Sequence, residues 1–193
     1  MKSEEKTPYK SQVTVLQKKP FDFKQIRIII KNTNGKEDEV FLDKKWAYKN
    51  ISHFKPVIDG VSDDEGIEIT LSCNLQAFEW IIEYMQAEDK KEDALIKLNH
   101  ENCLNIIVTA NFLRLTSVYE VVWEEYFKEH FSEVINKCKL SLSGIDQKIM
   151  GDIATRVSLL SLLDLNERED KFISNIFRIK VDQNLDLSGV FAC

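Results

Sequence analysis

The stretch NIIVTANFLRLTSVYEVVWEEYF, which runs from Asn105 to Phe127, decides the fold of this chain. One helical face in and just before it carries Cys103, Ile106, Ala110 and Leu113. Ala110 is small, which marks a place where a neighbouring element comes close. Leu115-Thr116-Ser117 then interrupts the apolar run. We therefore predict two consecutive helices that are joined by a tight break at residues 115–117.

The second of these helices is apolar in an unusual way. Its apolar residues drift round the helix: Val118, Val122, Tyr126, Phe127, Phe131, Val134 and Ile135. A helix that is apolar on several sides is packed on several sides. We expect the Val118–Ile135 helix to lie between a core and a layer formed further along the chain.

Two C-terminal helices are predicted to supply that layer. The first has an i,i+4 series of apolar residues: Ile145, Ile149, Ile153, Val157 and Leu160. Asn166 and Glu169 have the spacing of a capping box for the second. The apolar face of that second helix would consist of Phe172, Ile173, Ile176 and Phe177.

The N-terminal half predicts a small sheet. Gln25–Lys31 and Glu39–Asp43 form a hairpin round Asn34-Gly35, a dipeptide that tolerates the positive φ of tight turns. A third strand is predicted for Ile67–Leu71, where apolar and polar residues alternate.

Short helical segments and loops connect these strands to the decisive stretch. We predict a short helix over Lys45–Phe54, ended by Pro56 and Gly60, and a charged loop over Glu88–Asp93. Asn74 is a suitable N-cap for a further helix. The core face of that helix would carry Leu75, Phe78, Ile81, Ile82 and Met85.

Composition excludes several classes of protein. The 193 residues carry a net charge of -6, which argues against general nucleic-acid binding, although residues 1–20 hold five Lys and two Glu. The four Cys lack a CxxC pair, and we see neither a signal peptide nor an apolar run that could span a membrane. We expect an intracellular, cytoplasmic protein with free thiols, with nuclear or ciliary and cytoskeletal locations left open.

Catalytic motifs are missing from the sequence. It has no Gly-rich phosphate loop, no GxSxG and no HExxH. His53, His100 and His130 are isolated, and the single pair His100 and Cys103 is too few ligands for a zinc site. We expect no catalytic, cofactor or metal site, and a protein that is not an enzyme.

Three segments carry a resemblance to a known family: ANFLRLTSVYE (110–120), ITLSCNLQAFEWIIEYM (69–85) and DKFISNIFRIKV (170–181). With the predicted order of elements, they resemble a BTB/POZ domain. They are most similar to the BTB domain, with its C-terminal helical extension, of the SANT and BTB domain regulator of class-switch recombination family. The resemblance implies an α+β fold in which a small β-sheet packs against a cluster of helices.

The resemblance also implies a division of the chain. Residues 1–24 would be a flexible basic tail, 25–137 the BTB/POZ domain, 138–182 a C-terminal helical extension and 183–193 an irregular tail. No SANT domain is seen in this sequence, so the family's link to DNA-templated processes is not expected here. No direct nucleic-acid contact is expected either.

The function implied by the resemblance is a non-enzymatic protein–protein interaction module. It would act as a scaffold or adaptor and form a homodimer, or a heterodimer with another BTB-like chain. One alternative is a structural subunit of a larger complex, such as a ciliary or cytoskeletal assembly. Another is a substrate adaptor for a cullin ubiquitin ligase.

Two candidate partner surfaces follow. BTB-like dimers use the N-terminal strand and the first helix, which here implicates Ile28, Ile30, Trp46, Tyr48, Ile51 and Phe54. Trp46 and Phe54 would alternatively close the local core. The second candidate surface consists of Trp80, Tyr84, Met85 and Glu88. Its aromatic pair would alternatively be buried under the C-terminal helices.

Overall fold

A mixed four-stranded sheet forms one layer of the protein. The structure, a computed structural model, describes residues 11–16, 23–31, 36–62, 65–137 and 149. The strands are β1 Ser11–Leu16, β2 Gln25–Lys31, β3 Glu37–Asp43 and β4 Gly66–Leu71. They lie in the order β1-β4-β2-β3. β1 is antiparallel to β4, β2 is antiparallel to β3, and β2 is parallel to β4.

Alternation along the two central strands builds the core face of the sheet. Successive side chains of a strand point to opposite faces, and every second residue of β2 and β4 is apolar. The buried set consists of Ile26, Ile28, Ile30, Ile67, Ile69 and Leu71, each at most 2% exposed. These residues meet the helices, and the α+β class is confirmed.

The opposite face of the sheet is polar. Arg27 lies at its centre and forms an ion pair with Glu68 at 2.8 Å and a second pair with Glu39. The guanidinium donates a hydrogen bond to Glu39 and lowers the pKa of that carboxyl. One face of this sheet therefore packs on the core while the other faces solvent.

The sheet contains an N-terminal strand, β1, that was not predicted from the sequence. The prediction of a flexible basic tail over residues 1–24 is wrong for Ser11–Leu16, which pairs with the whole length of β4. The side chains of residues 11–14 are exposed. Val13 and Val15 alternate with polar residues, a strand signal that the sequence analysis did not use.

The chain between β3 and β4 also differs from its prediction. Residues 45–54 do not form one helix: α1 spans Lys44–Asn50, a 3-10 turn spans Ser52–Phe54, and α2 spans Lys55–Asp59. Pro56 lies in the first turn of α2, where its missing N–H costs nothing, so it begins a helix and does not end one. Asp43 caps α1 by accepting a hydrogen bond from the Trp46 amide at 2.7 Å.

The remaining helices form the second layer. They are α3 Leu75–Gln86, α4 Lys91–Leu95, α5 Cys103–Phe112, α6 Thr116–Val122, a π-helical turn Trp123–Phe127 and α7 Phe131–Lys137. The cap at Asn74 is confirmed, since its side chain accepts a hydrogen bond from the Ala77 amide at 2.9 Å. α4 replaces part of the predicted charged loop at Glu88–Asp93.

A tight break does separate the two helices of the decisive stretch, but it lies slightly earlier than predicted. The Leu115 amide donates to the Ala110 carbonyl at 2.8 Å, and the Arg114 amide donates to the Asn111 carbonyl at 2.9 Å. This pair of bonds is a Schellman motif, which ends α5. Arg114 takes its left-handed position with φ of 58°. Thr116 and Ser117 already belong to α6.

The apolar drift after the break has a different cause from the one predicted. Val122 and Phe127 are five residues apart, and the Lys128 amide bonds the Trp123 carbonyl at 3.0 Å in a wide π turn. That extra residue returns Phe127 to the side that already carries Val118 and Val122. The predicted single helix apolar on several sides is therefore wrong: the chain bends at residues 128–130, and Glu124, Glu125 and Glu129 are exposed.

The predicted C-terminal layer is represented in the described chain by Ile149. This residue is helical and only 3% exposed. The other residues of the two predicted C-terminal helices lie outside the described residues, as does the Asn34-Gly35 turn. The domain limits 25–137 and 138–182 stay predictions.

Phe127→Asp tests the burial of the segment after the break. Phe127 is fully buried and contacts Trp123 and Phe131 at centroid distances of 4.8 and 5.6 Å. Losing a buried Phe alone costs about 3–5 kcal/mol, and an unpaired buried carboxylate adds to that cost. We expect no cooperative thermal transition by circular dichroism. Lys128→Asp, at an exposed neighbouring position, should melt within a few degrees of the wild type; equal melting of both variants would contradict the packing.

Arg114→Gly and Arg114→Val test the backbone of the break. A left-handed conformation costs a non-glycine residue about 1–2 kcal/mol, although glycine also adds entropy to the unfolded chain. Urea denaturation should show Arg114→Gly equal to the wild type or more stable by up to about 1 kcal/mol, and Arg114→Val less stable by about 1–2 kcal/mol. The left-handed assignment fails if glycine destabilises as much as valine.

Candidate protein-interaction surfaces

The structure separates the six residues of the first candidate surface. Four of them, Ile28, Ile30, Ile51 and Phe54, are fully buried and belong to the core of the chain. Tyr48 is 39% exposed, and Trp46 is half-buried against the core. Only these two members reach the surface of α1, so the alternative reading of Phe54 as a core residue holds.

Trp46 and Tyr48 do not form one patch. Residues two apart on a helix point in different directions, and each ring has its own neighbours. The backbone amide of Trp46 binds Asp43, and its carbonyl accepts a hydrogen bond from Asn50 at 2.8 Å. α1 thus presents two separate aromatic contacts.

Tyr48 belongs to a small polar cluster between α1 and α2. The ammonium of Lys55 lies 5.7 Å from the centre of its ring, which is a cation–π distance. A hydrogen bond to the Asp59 carboxylate, followed by the charge of that group, raises the pKa of the phenol. The hydroxyl is therefore held as a donor at a solvent-exposed position.

His53 connects this region to α5. Its ring lies 5.0 Å from the ring of Phe112 and 5.9 Å from that of Phe54, by centroids. Burial lowers the pKa of the imidazole, and the charge of Arg114 adds to that effect. The Ser52 hydroxyl also donates to the Arg114 carbonyl at 3.4 Å. The 3-10 turn is thus fixed to the break that follows α5.

The second candidate surface is mostly interior. Trp80 is 5% and Tyr84 is 8% exposed, and the two rings stack with centroids 5.3 Å apart. The Trp80 indole N–H donates to the Ala94 carbonyl at 2.9 Å. The described cover includes α4, with Ala94 buried over the indole and Lys91 5.2 Å from the Tyr84 ring. Met85 is half-buried, and Glu88 is exposed with φ of 38°.

Among the described residues, the sequence analysis did not predict the exposure of three apolar side chains. Val13 on β1 is 45% exposed, Phe41 on β3 is 49% exposed and Ile96 after α4 is 81% exposed. Phe41 had a signal in the sequence, because it occupies the same alternation as Glu37 and Glu39 in EDEVFLD. An apolar residue in phase with charged ones belongs on the solvent face of a strand.

Reactive chemistry has little support among the described residues. They contain no group of three His, Cys, Asp or Glu side chains placed to hold a metal ion. Cys73 and Cys103 are buried, and burial raises the pKa of the Cys73 thiol to about 12. Cys73 therefore stays a thiol at neutral pH and lacks the thiolate that a nucleophile needs. No helix among these residues is long and apolar enough to cross a membrane.

Trp80→Phe tests whether the second surface is interior. The substitution removes a buried hydrogen bond and part of a buried ring, at a cost of about 1–3 kcal/mol. Tyr48→Phe is the matched control, because it removes a polar group from an exposed aromatic ring, and we expect a change within about 0.5 kcal/mol. Chemical denaturation of both variants measures the difference. A wild-type midpoint for Trp80→Phe would mean that the indole is free for a partner.

Comparison with known families now fits this architecture. The sequence profile described as SANT and BTB domain regulator of CSR, BTB domain, matches residues 24–122. The match begins just before β2 and ends with α6. It therefore covers strands β2 to β4 and helices α1 to α6, including the break that follows α5. No solved structure matches the chain significantly. The chain therefore belongs to the BTB domain family of the SANT and BTB domain regulator of CSR, and its fold is that of a protein-interaction module.

Proposed function

We propose that this chain is a non-enzymatic pairing module that joins two copies of itself, or itself and another BTB-like chain, as a scaffold or adaptor. The observation that carries the proposal is family membership combined with a first helix that leaves Tyr48 open to solvent. Aromatic residues are enriched at the centres of protein interfaces because they bury a large area with few rotatable bonds.

The first helix supplies a contact of mixed character. Tyr48 offers a ring and a hydroxyl, and Lys55 and Asp59 beside it carry opposite charges. A two-fold axis that places the α2 helices of two copies antiparallel would bring each Lys55 near the Asp59 of its partner. Such self-complementarity is what a symmetric pair requires.

The N-terminal strand supports the same proposal. β1 is an edge strand, and its side chains at residues 11–14 are exposed. Exchanging β1 between two copies would preserve the ladder to β4 and lose little burial of those side chains. An edge strand with exposed side chains at four of its six residues is suited to such pairing.

The alternatives rest on other residues. A cullin adaptor would use the end of α3, where Glu88 is exposed but Met85 is half-buried. A subunit of a larger assembly, ciliary or cytoskeletal, would use the α1 contacts for foreign chains. Light scattering of the purified chain distinguishes self-pairing from a role as a subunit of a larger assembly.

Light scattering of the purified full chain, over a concentration series, tests the pairing. We expect a mass twice that of the chain, and a shift toward the single-chain mass in Trp46→Ala and Tyr48→Ala. Truncating an interface aromatic typically weakens association by about 1–2 kcal/mol or more, which is about tenfold or more in Kd.

The control is Ile96→Ala, which removes an exposed apolar side chain from another part of the surface. It should leave the mass unchanged. Ile51→Ala and Phe54→Ala are unsuitable, since both side chains are fully buried and their loss would unfold the chain. A single-chain mass at every concentration contradicts pairing with itself and favours a surface that other proteins fill.

A further inference from the structure

β3 forms one outer edge of the described sheet. In the sheet order β1-β4-β2-β3, β3 is terminal. Within the described ranges, β2 is the one strand that pairs with it. A terminal strand presents a row of backbone donors and acceptors that an added strand can use.

The hydrogen-bond register shows which residues face that edge. The Lys44 amide donates to the Lys24 carbonyl at 2.7 Å, and the antiparallel register continues through Leu42 opposite Ile26 and Val40 opposite Ile28. Bonded pairs alternate along an antiparallel ladder. Even-numbered residues of β3 therefore bond to β2, and the backbone groups of Glu37, Glu39 and Phe41 point away from the sheet.

The same odd-numbered residues place their side chains on the solvent face. Phe41 is 49% exposed, and the side chains of Glu37 and Glu39 are 52% and 48% exposed. On the core face, Val40 and Leu42 lie at the rim of the hydrophobic core, and Val40 is only partly buried. An added strand would thus meet acids and an aromatic ring on one face, and Asp38 followed by aliphatic groups on the other.

Charge decides between occupants. β3 carries Glu37, Asp38, Glu39 and Asp43 and no basic residue, so the strand stays acidic overall although Lys31 and Arg27 of β2 pair with Glu37 and Glu39. Antiparallel pairing of β3 with the β3 of a second copy would place acids opposite acids, and like charges in opposed positions are destabilising. A strand with basic residues in those positions gains attraction instead, because directly opposed side chains point to the same face.

We propose that the edge of β3 binds an extended peptide of a partner protein in which Lys or Arg alternates with aliphatic residues. The basic side chains lie opposite Glu37 and Glu39 on the solvent face, and one of them contacts the Phe41 ring. The aliphatic side chains cover Val40 and Leu42. This is strand addition, in which the backbone provides affinity and the alternating side chains provide specificity. It is independent of the pairing through α1.

The test uses the full chain and the synthetic peptide acetyl-Thr-Lys-Val-Lys-Val-Lys-Thr-amide. Amide hydrogen exchange followed by NMR gives a reading for each residue. We expect saturable binding in which the amides of Glu39 and Phe41 change from fast to slow exchange. The amides of Val40 and Leu42 should be slow with and without the peptide, since they already bond to β2.

Two altered peptides isolate the parts of the interaction. Replacing each Lys with Glu keeps the strand propensity and should abolish binding through charge. Methylating the alternate backbone nitrogens that face β3 keeps the charge and should abolish binding through the lost hydrogen bonds. Because both use the wild-type protein, neither depends on the folding of a variant.

Protein variants complete the test. Glu37→Lys with Glu39→Lys should weaken binding about tenfold or more, because two attractive cross-strand pairs become repulsive. Glu124→Lys with Glu125→Lys makes the same change in net charge at exposed residues of the π turn, and should change Kd less than twofold. Equal loss in both double variants would show general electrostatic attraction and overturn the proposal.

Two further results would also overturn it. One is binding of the Glu-containing peptide as tight as that of the Lys-containing peptide. The other is slow exchange of the Glu39 and Phe41 amides before any peptide is added, which would show that the chain itself occupies the edge. Phe177–Val181, FRIKV, has the required alternation within this sequence, and charge reversal of Arg178 and Lys180 would then release those amides.

Discussion

The burial of helix α5 is the constraint on which the rest of the structure depends. Seven of its ten residues are buried, and it contacts α3, α6, the π turn and α7. A short helix surrounded in this way cannot be long-lived alone, because nucleation is costly and its stability comes from packing. Ala110 is fully buried, and its small side chain admits a neighbour at close range. The other helices are arranged as the cover that α5 requires.

That cover explains the two irregular features after α5. The chain must reverse at once to lay α6 against α5, and the left-handed Arg114 performs the reversal in one residue. The π turn then adds one residue to the helix. Val118, Val122 and Phe127 therefore stay on one apolar face although their spacing changes from four to five. Beside this face, the rings of Tyr119, Trp123, Phe127 and Phe131 recur every four residues, with neighbouring rings 4.8–6.5 Å apart. The left-handed residue and the π turn thus keep the segment after α5 packed against it.

The sequence was sufficient where a local pattern has only one structural solution. Ile-rich alternation gave β2 and β4, and the Asn74 cap gave the start of α3. The sequence was insufficient where tertiary contacts decide which element forms. β1 is a short stretch within a Lys-rich polar segment, and its pairing with β4 identifies it as a strand. α4 exists as a cover over Trp80, and a five-residue spacing reads as drift until the turn is known to be wide. Proline is found both after the end of a helix and in the first turn of one, and only the fold shows that Pro56 is the second case.

Exposed aromatic residues were harder to predict than the fold for the same reason. Phe54 and Tyr48 are both aromatic residues near a short helix, yet one is fully buried and the other is 39% exposed. Phe41 was overlooked because it stands between Val40 and Leu42, and this apolar run hides that Phe41 shares its face of β3 with Glu37 and Glu39. The structure gives the protein a sealed helical centre and an exposed periphery, consisting of α1, β1 and the edge of β3. A protein-interaction module requires that division, since partners must bind without disturbing the core.

Residue-resolved amide exchange of the full chain under native conditions tests this division most directly. The account predicts that amides in the middle of α5, from Ile107 to Asn111, exchange only through global unfolding and are the slowest among the described residues. It also predicts that amides of α1 exchange faster, through local opening. Exchange of the α5 amides as fast as those of α1 would contradict the account, because α5 could then open without the rest of the fold.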